Sequence, residues 1–296
     1  MTGTTEISRR HLRADARRTF RLALSAAALG MVLSGPAFAG VGPWFTATGG
    51  EIRLIMAGGV PDGEGTYKAA LEIRTEPGWK TYWRFPGDSG IGTSADFSAS
   101  DNVASTALAF PAPERHEDPY STTIGYEGGA VLPITAKMKS TGDPATLVAD
   151  VNLGLCREVC VPVTTRLEIP LDPDAPADAV SAQAIAAAEA RVPEPVDAGD
   201  PLSVTVLSLE PGDEPAFRFT AHLSDADAPA DLFVEGPQGS YLSVPTLAER
   251  DGAKAIFTLP TEGLVHDTNS AVLRLTLVNG SHAADQSWTV DLSALE

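Results

Sequence analysis

The sequence predicts an all-β protein built of two antiparallel β-sandwiches, and three observations carry that expectation. Apolar and polar residues alternate with period 2 over many short segments. Gly, Pro and Asp gather between those segments, where turns need them. The one Ala-rich stretch of helical character lies between two strand-rich halves, which disfavours a parallel α/β sheet. A length of 296 residues suits two domains, each able to bury a core. With 20% charged and 43% hydrophobic residues, collagen-like, coiled-coil and wholly disordered chains are excluded. A formal charge of −18 repels phosphate and argues against nucleic acid as a partner. Two Cys are too few for a multi-bridge scaffold or a four-Cys zinc site.

Residues 1–39 have the pattern of a signal peptide. Arg9, Arg10, Arg13, Arg17, Arg18 and Arg21 precede the apolar run Leu22–Gly35, and Ala37-Phe38-Ala39 gives a small-x-small cleavage pattern. The run falls short of the ~20 residues that span a bilayer, so cleavage is expected in preference to a retained anchor. Arg17-Arg18-Thr19-Phe20 also has the pattern of a twin-arginine export signal. Cleavage leaves 15 of the 21 bases and 37 of the 39 acids, a formal charge of −22. The expected product is an exported protein without stable membrane insertion, in a compartment where disulfides persist.

Residues 40–172 form the first expected sandwich. Tyr67, Ala69, Leu71 and Ile73 alternate with Lys68, Glu72 and Arg74. Leu147, Ala149, Val151 and Leu153 alternate with Thr146, Asp150 and Asn152, and Leu167 and Ile169 with Arg166 and Glu168. Such runs predict strands with one buried and one wet face. Residues 173–200 are the expected linker, with a short helix capped by Asp178 inside the Ala-rich stretch 173–195. Residues 201–296 form the second expected sandwich. Its inward faces are predicted as Leu202, Val204 and Val206, then Phe217, Phe219, Ala221 and Leu223, then Leu273, Leu275 and Leu277, then Trp288, Val290 and Leu292. Asn279-Gly280 marks a tight hairpin turn between the last two strands.

Cys156 and Cys160 lie in Leu153–Pro162, four residues apart at the end of a strand pattern. In an extended strand their Cα atoms would be about 13 Å apart, whereas a disulfide needs roughly 4.4–6.8 Å. A bond between them therefore requires a bend at Arg157–Val159. A five-residue loop gains only about 2 kcal/mol from closure, against more than 4 for a loop of ~100 residues. The spacing is compatible with a redox-active dithiol, with an inert local disulfide, and with a Cu(I) site completed by Met138 or a histidine. The candidates His116, His222, His266 and His282 are far away in sequence and show no H-x3-H pattern. Arg157 beside Cys156 would favour thiolate, and Glu158 offsets it. No GxSxG, HExxH or phosphate loop is present, which leaves hydrolase, zinc protease and nucleotide-enzyme readings without support.

Gly78–Gly92 (GWKTYWRFPGDSGIG), Phe110–Thr135 and Ala149–Pro162 together resemble the periplasmic N-terminal region of the thiol:disulfide interchange protein DsbD, in the branch found in the copper-tolerance protein ScsB. The three segments run across most of residues 45–171. The resemblance implies an immunoglobulin-like redox domain in which Cys156 and Cys160 exchange electrons without a cofactor. It implies a separate membrane electron-transfer protein as donor, and thioredoxin-like or disulfide isomerase-like periplasmic proteins as acceptors. It also implies a cap loop over the pair, here His116–Tyr126 with Tyr120 at its tip, and aromatic neighbours at Tyr82 and Trp83. Glu117 and Asp118 in that loop are candidate proton acceptors for a thiol, or ordinary surface acids. Two departures stand out: the spacing is C-x3-C where better-known members have C-x5-C, and Pro119 lies where their cap has its aromatic tip. Trp79, Tyr82 and Trp83 also fit a sandwich core, the PGDSG segment fits a plain turn, and Glu114 and Arg115 fit an ordinary ion pair. The chain ends at Glu296 with no membrane conduit, which is why the donor is expected to be a separate protein.

The resulting expectation is a periplasmic thiol–disulfide exchange protein, with Cys156 forming the intermolecular bond. The alternative is a non-catalytic module that binds Cu(I) or docks a partner, its disulfide locking a loop.

Overall fold

Alternation along β3 (Thr66–Thr75) buries Tyr67, Ala69, Leu71 and Ile73 as the sequence predicts, and β3 lies in the middle of a five-stranded sheet. The computed structural model describes residues 40–58, 65–119, 121–266 and 268–293. The expected signal peptide and Tyr120 lie outside the described residues.

Before β3 come β1 (Phe45–Ala47) and β2 (Gly50–Met56); after it come β4 (Lys80–Gly87), β5 (Ser94–Asp96), β6 (Val103–Leu108), β7 (Glu114–Glu117), β8 (Thr122–Glu127), β9 (Gly129–Met138), β10 (Ala145–Cys156) and β11 (Cys160–Leu171). One sheet has the order β1-β2-β3-β9-β6; the facing sheet runs β11-β10-β4-β8-β7, with β5 on β10. Ile52, Leu54, Leu71, Leu132 and Ile134 from the first meet Ile124, Leu147, Val151, Leu153 and Leu155 from the second in one buried cluster. Each such side chain contributes about 1.5–3 kcal/mol on burial.

Glu72 departs from the expected wet face: it is 9% exposed, and pairs with Arg53 at 2.7 Å and Arg74 at 2.8 Å. The reason is helix α1 (Ala179–Glu189), which packs Ile185 against Ile55 and Ala70 on the outer face of the same sheet. Asp178 caps α1, accepting from the backbone N–H groups of Val180 and Ser181. The small side chains of Ala184 and Ala188 face the sheet beside Ile185 and let the helix lie close, so the connector is also part of the first sandwich's wall.

The second sandwich is built from β12 (Glu194–Pro195), β13 (Ser203–Glu210), β14 (Ala216–His222), β15 (Ala230–Glu235), β16 (Thr246–Asp251), β17 (Lys254–Pro260), β18 (Ser270–Asn279) and β19 (His282–Asp291). Its sheets are β12-β19-β18-β15 and β13-β14-β17-β16. Phe217, Phe219, Leu232, Phe257, Leu273 and Leu275 fill the space between them. Two predicted details change. Val206 is 52% exposed, because a register shift between Val204 and Val206 reverses the phase of β13 and turns Leu207 and Leu209 toward the core. The hairpin loop is Gly280-Ser281, one residue later than predicted. Asn279 is still paired with His282, and its buried amide donates to the carbonyls of Asp225, Ala228 and Pro229. Gly280 supplies the positive φ of 61°.

The two sandwiches share a built interface within one compact unit. Trp83 packs on Phe233 with ring centroids 5.8 Å apart, and Phe233 and Val244 belong to the first sandwich's apolar cluster. Arg84 forms an ion pair with Glu235 at 2.8 Å. Arg115 does not pair with its neighbour Glu114: adjacent strand residues point to opposite faces. It crosses instead to Asp231.

Candidate functional site

The β10–β11 hairpin brings the two cysteines together. Its register runs without interruption from Ala145↔Leu171 to Cys156↔Cys160, so the pair forms the last rung. Arg157-Glu158-Val159 make the bend that the spacing requires, and the Cα atoms come to 4.2 Å with a disulfide between the sulfurs. The two halves of the bond are not equivalent. Cys156 is 2% exposed and also pairs with Lys80 on β4, whereas Cys160 is exposed beside the solvated tip residue Val159. The Arg157 guanidinium lies over the Trp79 ring, 5.6 Å from its centroid.

Tyr82 is the aromatic residue that reaches the pair. Its ring is 2% exposed, and its hydroxyl lies 3.1 Å from Cys160 Sγ. A disulfide sulfur carries no proton, so the phenol donates. Burial raises the phenol above its ordinary value, and the charge of Asp118 raises it further. The hydroxyl therefore keeps its proton at neutral pH. Three neighbours hold the ring. Thr93 donates to the Tyr82 carbonyl at 2.6 Å. Gly154 packs on the ring closely enough that a Cβ there would sit 3.1 Å away, and Gly90, at φ +116°, leaves no room for a Cβ at all, 2.3 Å from the ring. Thr81 donates to the Gly154 carbonyl, tying β4 to the strand that carries Cys156.

Among the other expected residues, Trp83 points away from Tyr82's face and into the interface with the second sandwich. Tyr126 is 5% exposed and donates to the Pro111 carbonyl at 2.8 Å; burial drives its phenol far above the ordinary range. Its role is in packing. The segment expected to be the cap is a β-hairpin, β7–β8, paired from Glu114↔Gly125 to Glu117↔Thr122. Asp118 closes its turn by accepting from the Ser121 backbone N–H at 3.0 Å. Asp88 and Thr122 exchange two further hydrogen bonds of 2.9 Å, which join the hairpin to the segment that covers Tyr82. Glu117 is exposed and lines a groove with Asp88, Asp213, Glu214 and Glu262.

Sequence reasoning missed Gly90, Asp88 and the second-sandwich residues Asp231, Pro245 and Tyr241, all of which touch this region. Gly90 belongs to a motif treated as a turn; nothing in the sequence placed it against Tyr82. Met138 is a core residue of β9, and among the described residues no three His, Cys, Asp or Glu side chains gather to hold a metal ion.

The first sandwich is immunoglobulin-like and ends one hairpin in a disulfide that joins a buried cysteine to an exposed one. Residues 60–172, from before β3 to the end of β11 and including both cysteines, match the family model described as thiol:disulfide interchange protein DsbD, N-terminal. The crystal structure of the N-terminal periplasmic domain of ScsB from Proteus mirabilis is similar over 86% of this chain and 99% of that chain, with a TM-score of 0.67 and 22% identity. That likeness spans both sandwiches and shows the fold. A conserved domain protein from Bacillus anthracis is aligned over 87% of this chain and 94% of that one at 7% identity, but its TM-score of 0.22 carries no argument. No curated protein sequence matches the chain.

Proposed function

We propose that the protein is a periplasmic thiol–disulfide exchange protein that relays electrons from a membrane-embedded reductant to disulfide-bearing periplasmic proteins through Cys156 and Cys160. The observation that carries this reading is the last rung of the β10–β11 hairpin, where a disulfide closes a five-residue loop with one sulfur-bearing residue exposed and the other buried. Such a bond adds little to stability, and opening it leaves eleven rungs of the hairpin in place. The similarity to the DsbD N-terminal family and to the ScsB domain supports the same reading. No described helix is long and apolar enough to cross a membrane, and residues 1–39 are proposed to direct export by the twin-arginine or general route.

The exposure of the two residues reverses the preference formed from sequence, and Cys160 is the proposed point of attack. A donor thiolate attacks Cys160 Sγ; the Cys156–Cys160 bond breaks, and Cys156 leaves as a thiolate that takes up a proton. The donor's second thiolate then attacks its own sulfur in the mixed disulfide and releases Cys160. The donor is left oxidised and the pair reduced, two electrons having moved. Onward transfer begins with Cys160 thiolate attacking an acceptor disulfide, and Cys156 resolves the mixed disulfide to re-form the bond. Tyr82, by donating to Cys160 Sγ, stabilises the thiolate in both directions.

The test is trapping in cells. Cys156→Ser leaves Cys160 without its resolving partner and is expected to accumulate a mixed disulfide with a donor or acceptor, whereas Cys160→Ser is expected to trap far less. Capture of no partner by either variant would overturn the exchange reading.

A further inference from the structure

Tyr241 is a large aromatic side chain left 61% exposed, and yet it is held in place. It lies on the β15–β16 loop of the second sandwich, and its hydroxyl donates to the Asp88 carbonyl of the first. Its backbone N–H donates to the Gly263 carbonyl at 2.8 Å, and the Val265 N–H donates to the Ser240 hydroxyl at 3.0 Å, tying the two loops together. The ring's one polar handle is thus already used, and a ring fixed beforehand loses little entropy when a partner covers it. The exposed cysteine is close by. Two residues after Asp88, Gly90 lies against the Tyr82 ring, whose hydroxyl meets Cys160 Sγ. The path from the Tyr241 hydroxyl through these contacts to the sulfur is at most about 20 Å. An ordinary protein–protein interface is a patch about 30 Å across, so one partner covers both. Ser89 and Gly90, which bridge the two, are exposed and small. Asp88 also lines a groove of about 850 Å³ with Glu117, Asp213, Glu214 and Glu262. Among the described residues none of these five carboxylates forms an ion pair, and the one base in the lining, Arg115, is forked to Asp231.

We propose that Tyr241 is a specificity-determining residue, the second sandwich's contact for a disulfide-bearing acceptor protein that presents an apolar side chain flanked by lysine or arginine about 20 Å from its reactive sulfur. The ring takes the apolar side chain, as exposed tyrosines at interface centres do. The groove's carboxylates take the bases and speed the encounter. A small disulfide is too short to touch Cys160 and Tyr241 together, so it gains nothing from either. The inference deepens the exchange reading and rests on it: Cys160 thiolate attacks the acceptor disulfide and expels one of its sulfurs as a thiolate. Cys156 then displaces the other, so the pair is oxidised as the acceptor is reduced.

The experiment follows thionitrobenzoate release when the reduced full protein meets a peptide carrying one cysteine as its thionitrobenzoate disulfide. In one peptide a leucine flanked by two lysines lies about six residues, roughly 20 Å of extended chain, from that cysteine. In the second, glutamates replace the lysines; glutathione disulfide is the small probe. The lysine peptide is expected to react about tenfold faster than the glutamate peptide at low salt, the gap closing as salt is added. Tyr241→Ala is expected to slow the lysine peptide about fivefold, Tyr241→Phe to retain its rate, and neither to alter the glutathione disulfide rate. Glu214→Gln with Glu262→Gln, both at exposed positions, is expected to narrow the gap between the peptides and covers the case in which Tyr241→Ala does not fold. An unchanged peptide rate in Tyr241→Ala, an unchanged gap in the Gln variant, or an equal slowing of glutathione disulfide would overturn the proposal while leaving the exchange reading standing. A reduced pair that reacts with no disulfide at all would sink both.

Discussion

The Tyr82 hydroxyl donates a hydrogen bond of 3.1 Å to the Sγ of Cys160, joining residues 78 positions apart in sequence. Cys160 is the exposed residue of the pair and Tyr82 is buried, so a donor is aimed at the Cys160 sulfur from the protein side. Thiolate stability at Cys160 is thereby linked to the packing of a core aromatic residue.

Replacing Tyr82 by Phe is expected to remove this donor while keeping the ring. The Cys160 thiol should then titrate higher, since a hydrogen bond to a charged group is worth roughly 1.5–3 kcal/mol. The pH dependence of iodoacetamide alkylation in the reduced protein, read with Cys156 as the internal comparison, checks this. An unchanged alkylation profile would show that the bond does not persist in the dithiol.

Gly90→Ala is expected to displace the phenol. The added methyl would lie 2.3 Å from the Tyr82 ring at a backbone φ of +116°, and both features cost energy, together about 1–3 kcal/mol. Gly142→Ala also lies at positive φ, but with nothing within 4 Å of the new Cβ, and is expected to cost less. Urea melts rank the two, and the Gly90 variant should also show the alkylation profile of Tyr82→Phe.

Reduction of the disulfide is expected to leave both sandwiches folded. Loop closure over five residues contributes about 2 kcal/mol, and the register of β10 with β11 continues from Leu155↔Val161 to Ala145↔Leu171 without it. Far-UV circular dichroism should be unchanged, and the urea midpoint should fall only slightly. Unfolding on reduction would mark the bond as structural.

Acid should loosen α1 before it unfolds the sandwiches. The Ser181 hydroxyl, with the backbone N–H groups of Val180 and Ser181, holds the Asp178 carboxyl below the usual carboxylate range. A depressed folded value means that the stabilisation is present above the ordinary Asp value of about 3.9 and is lost as pH falls from there through the folded value. Asp178→Ala is expected to remove about 1 kcal/mol at neutral pH and to flatten that acid dependence. Hydrogen exchange of the α1 amides between pH 5 and pH 2.5 follows both effects.

Much of the fold was legible because period-2 alternation is a local consequence of strand geometry. The stretches around Leu71, Leu153 and Phe219 needed only the knowledge that one face is dry. Where a second layer intervened, alternation misled. Glu72 sits on a face that α1 covers, and the guanidinium groups of Arg53 and Arg74 make its burial tolerable. Val206 lies just past a bulge, where one extra residue turns the side chains over without leaving a mark in the pattern. At the site, the spacing of Cys156 and Cys160 implied a bend, which the hairpin supplies. That Tyr82 reaches the sulfur while Trp83 meets Phe233 follows from adjacent strand residues pointing to opposite faces of the sheet, and from what the fold brings against each face of β4.

By itself, then, the chain determined its β-rich character, the Asp178 cap and the place of the cysteine pair, because each depends on residues a few positions apart. Tertiary structure alone decided which sulfur-bearing residue is exposed, which aromatic residue donates to it, and that Arg115 reaches Asp231 rather than Glu114. These are contacts between segments some 80 to 120 residues apart, set by how the sheets stack, and no local spacing encodes that distance.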